Sequence, residues 1–178
     1  MKRLQLLATF AAVLILSFSG CSSPTQPAAM QTEVLSLGKK HSQTVAVQTN
    51  GGQPTNPMWA SQIADQDLAS AIQESILKNQ LFSSVVSIGN ADYVLNATIF
   101  KIDQPIMGFS MEVGIEIAWS LMPKGSTTPV WEKSIHTRVS KGVGDAFAAV
   151  KRIRIATEAS AKENITQALT EIAKLDLK

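Results

Sequence analysis

Residues 113–121 read Val-Gly-Ile-Glu-Ile-Ala-Trp-Ser-Leu. Val113, Ile115, Ile117, Trp119 and Leu121 share one face, while Glu112, Glu116 and Ser120 share the other. A period of two is that of an extended strand with one side buried and one in water. The same alternation recurs on either side. From Tyr93 to Ile102 the apolar face is Tyr93, Leu95, Ala97 and Ile99. From Val130 to Val139 it is Trp131, Ile135 and Val139, set against Glu132, His136 and Arg138. Pro123-Lys124-Gly125-Ser126 supplies the turn between the last two runs. Three consecutive half-polar strands predict an antiparallel sheet with one solvated face.

Further out the period changes. Leu68, Ile72 and Ile76 recur at i+4, with Ala64 and Ala71 nearby, the spacing of a helix buried on one side. Asn56-Pro57 is a candidate opening for that helix and Asn79 its end. Glu74 and Lys78 stand at i,i+4 on its polar side. Ahead of it, Thr44–Gln48 (TVAVQ) reads as a short strand, and Asn50-Gly51-Gly52-Gln53-Pro54 as a loop. The chain closes with a predicted helix from Asp145, a good N-cap, to Leu175, with Ala161, Ile165, Ala168, Leu169 and Ile172 as its stripe. The order β-α-β-β-β-α predicts an α+β two-layer sandwich, a mainly antiparallel sheet with two helices on one face, over residues 41–178.

The first 21 residues read as a leader. Lys2 and Arg3 precede an apolar run from Leu6 to Leu16, then the small residues Ser17, Ser19 and Gly20. The run is too short for a bilayer span, which takes about 20 apolar residues. Ser19-Gly20-Cys21 resembles the end of a lipobox, with Phe18 where Leu is usual. That resemblance implies a signal peptide over residues 1–20, cleavage before Cys21 and a diacylglyceryl (palmitate-bearing) anchor on its sulfur. Ser22, in place of Asp, implies sorting to the outer membrane, facing the periplasm. Cys21 is the single cysteine, so no internal disulfide can form. Residues 21–40, poor in aromatics and containing SSPTQPAAMQ, are expected to be a flexible tether with a reach of roughly 25 Å.

Charge narrows the partners. The formal +2 of the whole chain comes from 16 basic and 14 acidic residues, and the leader holds two of the basic ones. A mature domain of zero formal charge has no general attraction to nucleic acid.

Few residues carry chemistry. Cys21 is consumed by lipid. His41, beside the tether, and His136, on the polar strand face, are far apart and without carboxylates at ligand spacing, so both are expected at the solvated surface and no metal or cofactor is expected. Nucleophile signatures are missing. Glu112, Glu116 and Glu132 on the open sheet face fit ordinary amphipathic patterning better than acid–base work. Gly142-Val143-Gly144 lacks the third glycine of a dinucleotide fingerprint and reads as a hinge.

Two clusters are candidate partner contacts. Lys151, Arg152 and Arg154 sit near the start of the last helix, where the macrodipole disfavours cations. They could meet anionic headgroups, although an Arg154/Glu158/Lys162 ion-pair ladder explains them better. Pro105-Ile106-Met107-Gly108-Phe109-Ser110-Met111 joins two strands through unusually apolar residues. Either the strands run on, with a bulge at Gly108, and bury Met107, Phe109 and Met111, or these side chains form a sticky tip.

Several phrases add a resemblance: Leu81-Phe82-Ser83, Ala91-Asp92-Tyr93-Val94-Leu95, Trp119 and Trp131 in successive strands, Asp145-Ala146-Phe147, and Arg154-Ile155-Ala156-Thr157-Glu158. With the lipobox and the element order, the chain resembles small Gram-negative envelope lipoproteins. It is similar in architecture to TolB N-terminal-like domains and to auxiliary lipoproteins of envelope transport systems. The resemblance implies a periplasm-facing, non-enzymatic accessory role with an envelope protein as partner, and it transfers no site residues. A lipid or glycan carrier is the alternative, and an envelope enzyme a more distant one.

Overall fold

A computed structural model describes residues 22–56 and 61–178. Its centre is a five-stranded sheet in the order β2-β1-β3-β4-β5. The strands are β1 (Thr44–Asn50), β2 (Ser84–Val85), β3 (Tyr93–Asp103), β4 (Met111–Pro123) and β5 (Trp131–Lys141). Among the described residues the helices are α1 (Pro27–Met30), α2 (Asp65–Asn79) and α3 (Ala149–Ile172), with a 3-10 turn at Ile88–Asn90. The α+β expectation holds, with a mixed sheet and three helices.

The meander β3–β4–β5 is antiparallel, as the alternation requires. Trp119 pairs with Ala97 on one side and Lys133 on the other. The register slips once, between Ile99 and Lys101, leaving Phe100 as an extra, exposed residue. Of the two alternatives for residues 105–111, strands running on with a bulge at Gly108 is not the one seen: the irregularity is at Phe100, and β3 stops at Asp103. β1 lies parallel to both β2 and β3, because the crossover through α2 returns the chain to the same end of the sheet. The two-residue β2 carries too little pattern to be foreseen.

Leu68, Ile72 and Ile76 of α2 and Ala161, Ile165, Ala168, Leu169 and Ile172 of α3 pack with Leu95, Ile115, Ile117, Trp119, Leu121 and Ile135 in one core. α3 also buries polar groups, and those facing β4 and β5 are matched, as burial demands. Asn164 Oδ1 accepts from Trp119 Nε1 at 2.8 Å, and its Nδ2 donates to the Ile135 carbonyl at 2.8 Å. Thr137 Oγ1 donates to the Ser160 carbonyl at 2.9 Å.

α2 ends where expected, at Asn79, through Gln80 in the left-handed region (φ 51°). Its start is later than expected. Asn56 is not helical, Pro57 lies outside the described residues, and the helix opens at Asp65. Glu74 and Lys78 do not pair. Lys78 instead donates to the Thr32 carbonyl at 3.0 Å and lies 3.7 Å from Glu33. α3 begins at Ala149, four residues after Asp145. Asp145 caps the preceding turn, accepting from Gly142 N at 2.9 Å.

The largest correction concerns the expected tether. Residues 22–40 are packed along the helices. Met30 is fully buried. Thr32 N donates to Ser75 Oγ at 3.0 Å, Leu35 N to Asn79 Oδ1 at 2.6 Å, and Gln26 N to Glu158 Oε1 at 2.9 Å. The polar side chains of α2 and α3 thus satisfy backbone groups of a segment whose one regular element is the short helix α1. Cys21 and the leader lie outside the described residues.

Candidate interaction surface

At one end of the sheet two loops meet, the β3–β4 connection (104–110) and the β5–α3 connection (142–148). Ile106, Met107 and Phe109 of the first and Phe147 of the second are 95%, 82%, 86% and 92% exposed. Among the described residues these are the four most exposed large apolar side chains. The two loops are fastened by Arg152, which is 5% exposed. Its Nη1 donates to the carbonyls of Ala146 (2.9 Å) and Phe147 (2.6 Å), and its Nη2 to that of Gly108 (3.2 Å). Its Nε is buried without a hydrogen-bond partner among the described residues. Gly108 has φ +154°, and a Cβ there would come within 2.9 Å of the Ser110 carbonyl oxygen. Only glycine can turn its carbonyl to the guanidinium in this way.

The candidate contacts therefore separate. Met107 and Phe109 are at the tip. Met111 is 1% exposed and belongs to the core, because β4 begins at that residue and its side chain falls on the inner face. Arg152 is removed from the surface set as well, since its charge is spent on loop carbonyls. Lys151 is exposed and has no ion-pair partner among the described residues. Half of the expected ladder forms: Arg154 Nε lies 3.7 Å from Glu158 Oε1, whereas Lys162 pairs with Glu33. Burial pushes the Glu158 carboxyl above its usual range, with the Gln26 N–H and Arg154 acting against it. Ile106 belongs to the apolar phrase 105–111 but is not among its candidate contacts, and Phe147, quoted above only within Asp145-Ala146-Phe147, lies in the loop before α3 and not in a helix from Asp145.

The N-terminal end of the described chain lies at the same end of the sheet. Ser22 Oγ is 3.2 Å from Ser61 Oγ, and Ser61 Oγ donates to the Ser23 carbonyl at 2.8 Å. Gln104, the first residue of the tip loop, donates through Nε2 to the Ser61 carbonyl (2.6 Å) and to Thr157 Oγ1 (3.0 Å). Arg154 Nη1 donates to Ser23 Oγ at 3.0 Å.

The open sheet face carries the acidic residues in ordinary company. Glu112 pairs with Arg138 at 3.1 Å, and Glu116 accepts from Ser134 Oγ at 2.8 Å. His136 is exposed there, as expected. His41 is not at the surface. It is 7% exposed, its Nε2 is 3.0 Å from the Ile172 carbonyl oxygen, and its ring centroid lies 5.1 Å from that of Phe82. No three His, Cys, Asp or Glu side chains converge as metal ligands among the described residues. A shallow hollow of about 360 Å³ opens beside Ser42, Asp92, Tyr93, Lys124 and Lys178, at the sheet end away from the tip. No helix among the described residues is long and apolar enough to cross a membrane.

No family model and no curated protein matches the sequence. Solved structures share the fold. A DUF330 protein of Xanthomonas campestris superposes with TM-score 0.55 at 13% identity, over 85% of this chain and 92% of that one. A candidate lipoprotein of Caulobacter crescentus CB15 gives 0.52 at 12% identity, over 72% and 87%. A hypothetical protein of Chlamydia trachomatis gives 0.51 at 7% identity, over 74% and 98%. Likeness at such identities is likeness of fold, and function has to be argued from the surface.

Proposed function

We propose that this protein is an envelope lipoprotein, anchored through Cys21 in the outer membrane and facing the periplasm, that acts as a non-enzymatic accessory component of an envelope assembly or transport system. The observation that carries this reading is the seating of the N-terminal segment. Ser22, the residue after the lipid-bearing cysteine, is 6% exposed and bonded to the domain. A lipid on Cys21 would then hold the domain itself at the membrane, at a fixed height and orientation, as a component of a stationary assembly needs. A shuttling carrier would need slack between anchor and domain, and that segment is packed. The leader and the lipobox resemblance support the anchor, and the Caulobacter protein of the same fold is itself described as a candidate lipoprotein.

The space between sheet and helices is filled by side chains such as Leu95, Ile117, Trp119 and Leu169, all at most 2% exposed. This favours a surface-acting protein over a lipid or glycan carrier, which would need that space for its cargo.

In-cell photo-crosslinking of the lipidated chain tests the reading, with the photoreactive residue placed in turn at exposed sites such as Ser134 and Lys151. The expected result is a discrete adduct with one envelope protein that disappears in Cys21→Ala. Lipid or glycan co-purifying at one per chain in native mass spectrometry, with no protein adduct from any site, would overturn it in favour of a carrier.

A further inference from the structure

We infer that the tip formed by the β3–β4 and β5–α3 loops is a membrane-docking surface, seated in the leaflet that holds the lipid of Cys21. The inference rests on the reading of Cys21 as lipidated and adds where the domain touches the bilayer. Three independent observations meet here.

The first is the chemistry of the tip. Ile106, Met107, Phe109 and Phe147 are all more than four-fifths exposed. Isolated apolar side chains on a surface are ordinary, but a cluster at the apex of two loops marks a contact site. These four are short in sequence and set on irregular backbone, suited to enter the headgroup region without crossing the bilayer.

The second is rigidity. Arg152 holds Gly108, Ala146 and Phe147 through their carbonyls, so the two loops form one body. Presenting the apolar side chains ready-placed reduces the ordering cost of binding.

The third is where the chain leaves the described structure. Ser22 and Gln104 are both hydrogen-bonded to Ser61, and Ser23 to Arg154 in the second turn of α3. Cys21 is one peptide unit from Ser22, about 3.8 Å between α-carbons. The lipid therefore emerges beside the base of the tip. Had it emerged at the opposite end of the sheet, by Lys178, the same tip would point away from the membrane. Charge agrees with this placement. Within the two loops and the strand ends that carry them, Asp103 is paired with Lys101 (2.9 Å) and Asp145 with Lys141 (3.3 Å), while next to them, in the first turn of α3, Lys151 is exposed and has no ion-pair partner among the described residues. This balance suits an anionic lipid surface.

Lipidation consumes the sulfur of the single native cysteine, so an introduced cysteine is the unique free thiol. The test places it at Met107 (Met107→Cys) or, as a control on the open sheet face, at Ser134 (Ser134→Cys), and labels it with an environment-sensitive fluorophore. The lipidated full chain is then reconstituted in vesicles of phosphatidylethanolamine with a minority of phosphatidylglycerol. Met107 is 82% exposed, so the substitution leaves the core untouched. The expected result is a blue shift and a several-fold rise in emission at 107, quenched by nitroxide-bearing lipids, with the label at 134 unchanged. A label at 107 that stays in water, on protein that floats with the vesicles, overturns the docking and leaves the anchor standing. A blue shift that nitroxide lipids do not quench means the tip meets protein, a second copy or a partner, and overturns the docking too. Protein that does not float overturns the anchor and the docking together.

Discussion

Arg152 Nη2 donates to the carbonyl oxygen of Gly108 at 3.2 Å, across 44 positions of sequence, and ties the first turn of α3 to the apex of the β3–β4 loop. The same guanidinium also binds the carbonyls of Ala146 and Phe147. A planar fork with five donors can hold several carbonyls on two loops at once; a lysine ammonium offers a single point.

Replacing Arg152 with Ala is expected to cost about 2–4 kcal/mol, because three part-buried, charge-assisted bonds to the loop carbonyls are lost together. Arg152→Lys should recover only part of this. Lys151→Ala, one residue away on the exposed side, should stay within about 0.5 kcal/mol of wild type. Urea denaturation gives the three values, and limited proteolysis should show cleavage in 104–110 or 142–148 for the Arg152 variants alone. Equal losses at 151 and 152 would refute the clasp.

Met107, Phe109 and Met111 occupy one stretch of seven residues with different fates. Phe109→Ser and Met107→Ser are expected to leave the melting temperature nearly unchanged, since both side chains are already in water. Met111→Ser places a hydroxyl and a void in the core and should cost about 3 kcal/mol or more. Calorimetry on the three variants checks the contrast.

That contrast also shows where sequence reading stops. The alternation of 113–121 located β4 and its buried face because a two-residue period is a local property. Leu68, Ile72 and Ile76 located α2 for the same reason. Whether residues 105–111 were tip or core depended on where pairing ended, which is set by Gly114 opposite Asp103 and Met111 opposite Lys141 on neighbouring strands. No local pattern reports that. His41 looked solvated beside a polar stretch, but the Ile172 carbonyl that satisfies it comes from the other end of the chain. The role of Arg152 was hidden likewise: its partners are backbone carbonyls, which have no sequence signature.

Two carboxylates should make stability respond to pH in opposite senses. Asp92 accepts from Thr44 N (2.8 Å) and Thr44 Oγ1 (2.7 Å), and these bonds hold its carboxyl below the usual 3.8. A depressed acid contributes stability that is present above the unfolded value and lost as pH falls through the folded one. Glu158 is raised above the usual 4.5, first by burial. Its contribution is full below 4.5 and is lost as pH rises through the folded value. Asp92→Asn should therefore flatten the acid limb of the stability curve. Glu158→Gln keeps an acceptor for Gln26 N–H but does not titrate. Its stability relative to wild type should rise between about pH 4 and pH 7. Chemical denaturation across this range measures both, and a Glu158→Gln difference that is flat or falling would contradict the assignment.

The packing of residues 22–40 makes a prediction that separates a seated segment from a tether. Met30 is fully buried between α2 and α3, and Thr32 and Leu35 give their amides to Ser75 and Asn79 of α2. A tether would tolerate almost any substitution. A seated segment should not: Met30→Ala removes core volume and is expected to cost about 2–5 kcal/mol, the range for large-to-small changes at closed sites. Asn79→Ala should be costly too, since Asn79 links Thr32, Glu33 and Leu35 to the end of α2. Val34, 75% exposed in the same stretch, is the internal control, and Val34→Ser should be near neutral. Hydrogen exchange adds a second readout, because the amides of Thr32 and Leu35 should be protected in wild type and exchange faster in Met30→Ala. If Met30→Ala is as stable as Val34→Ser, the segment is not held. Cys21 would then regain the slack of a tether, and the fixed geometry between lipid and tip would be lost with it.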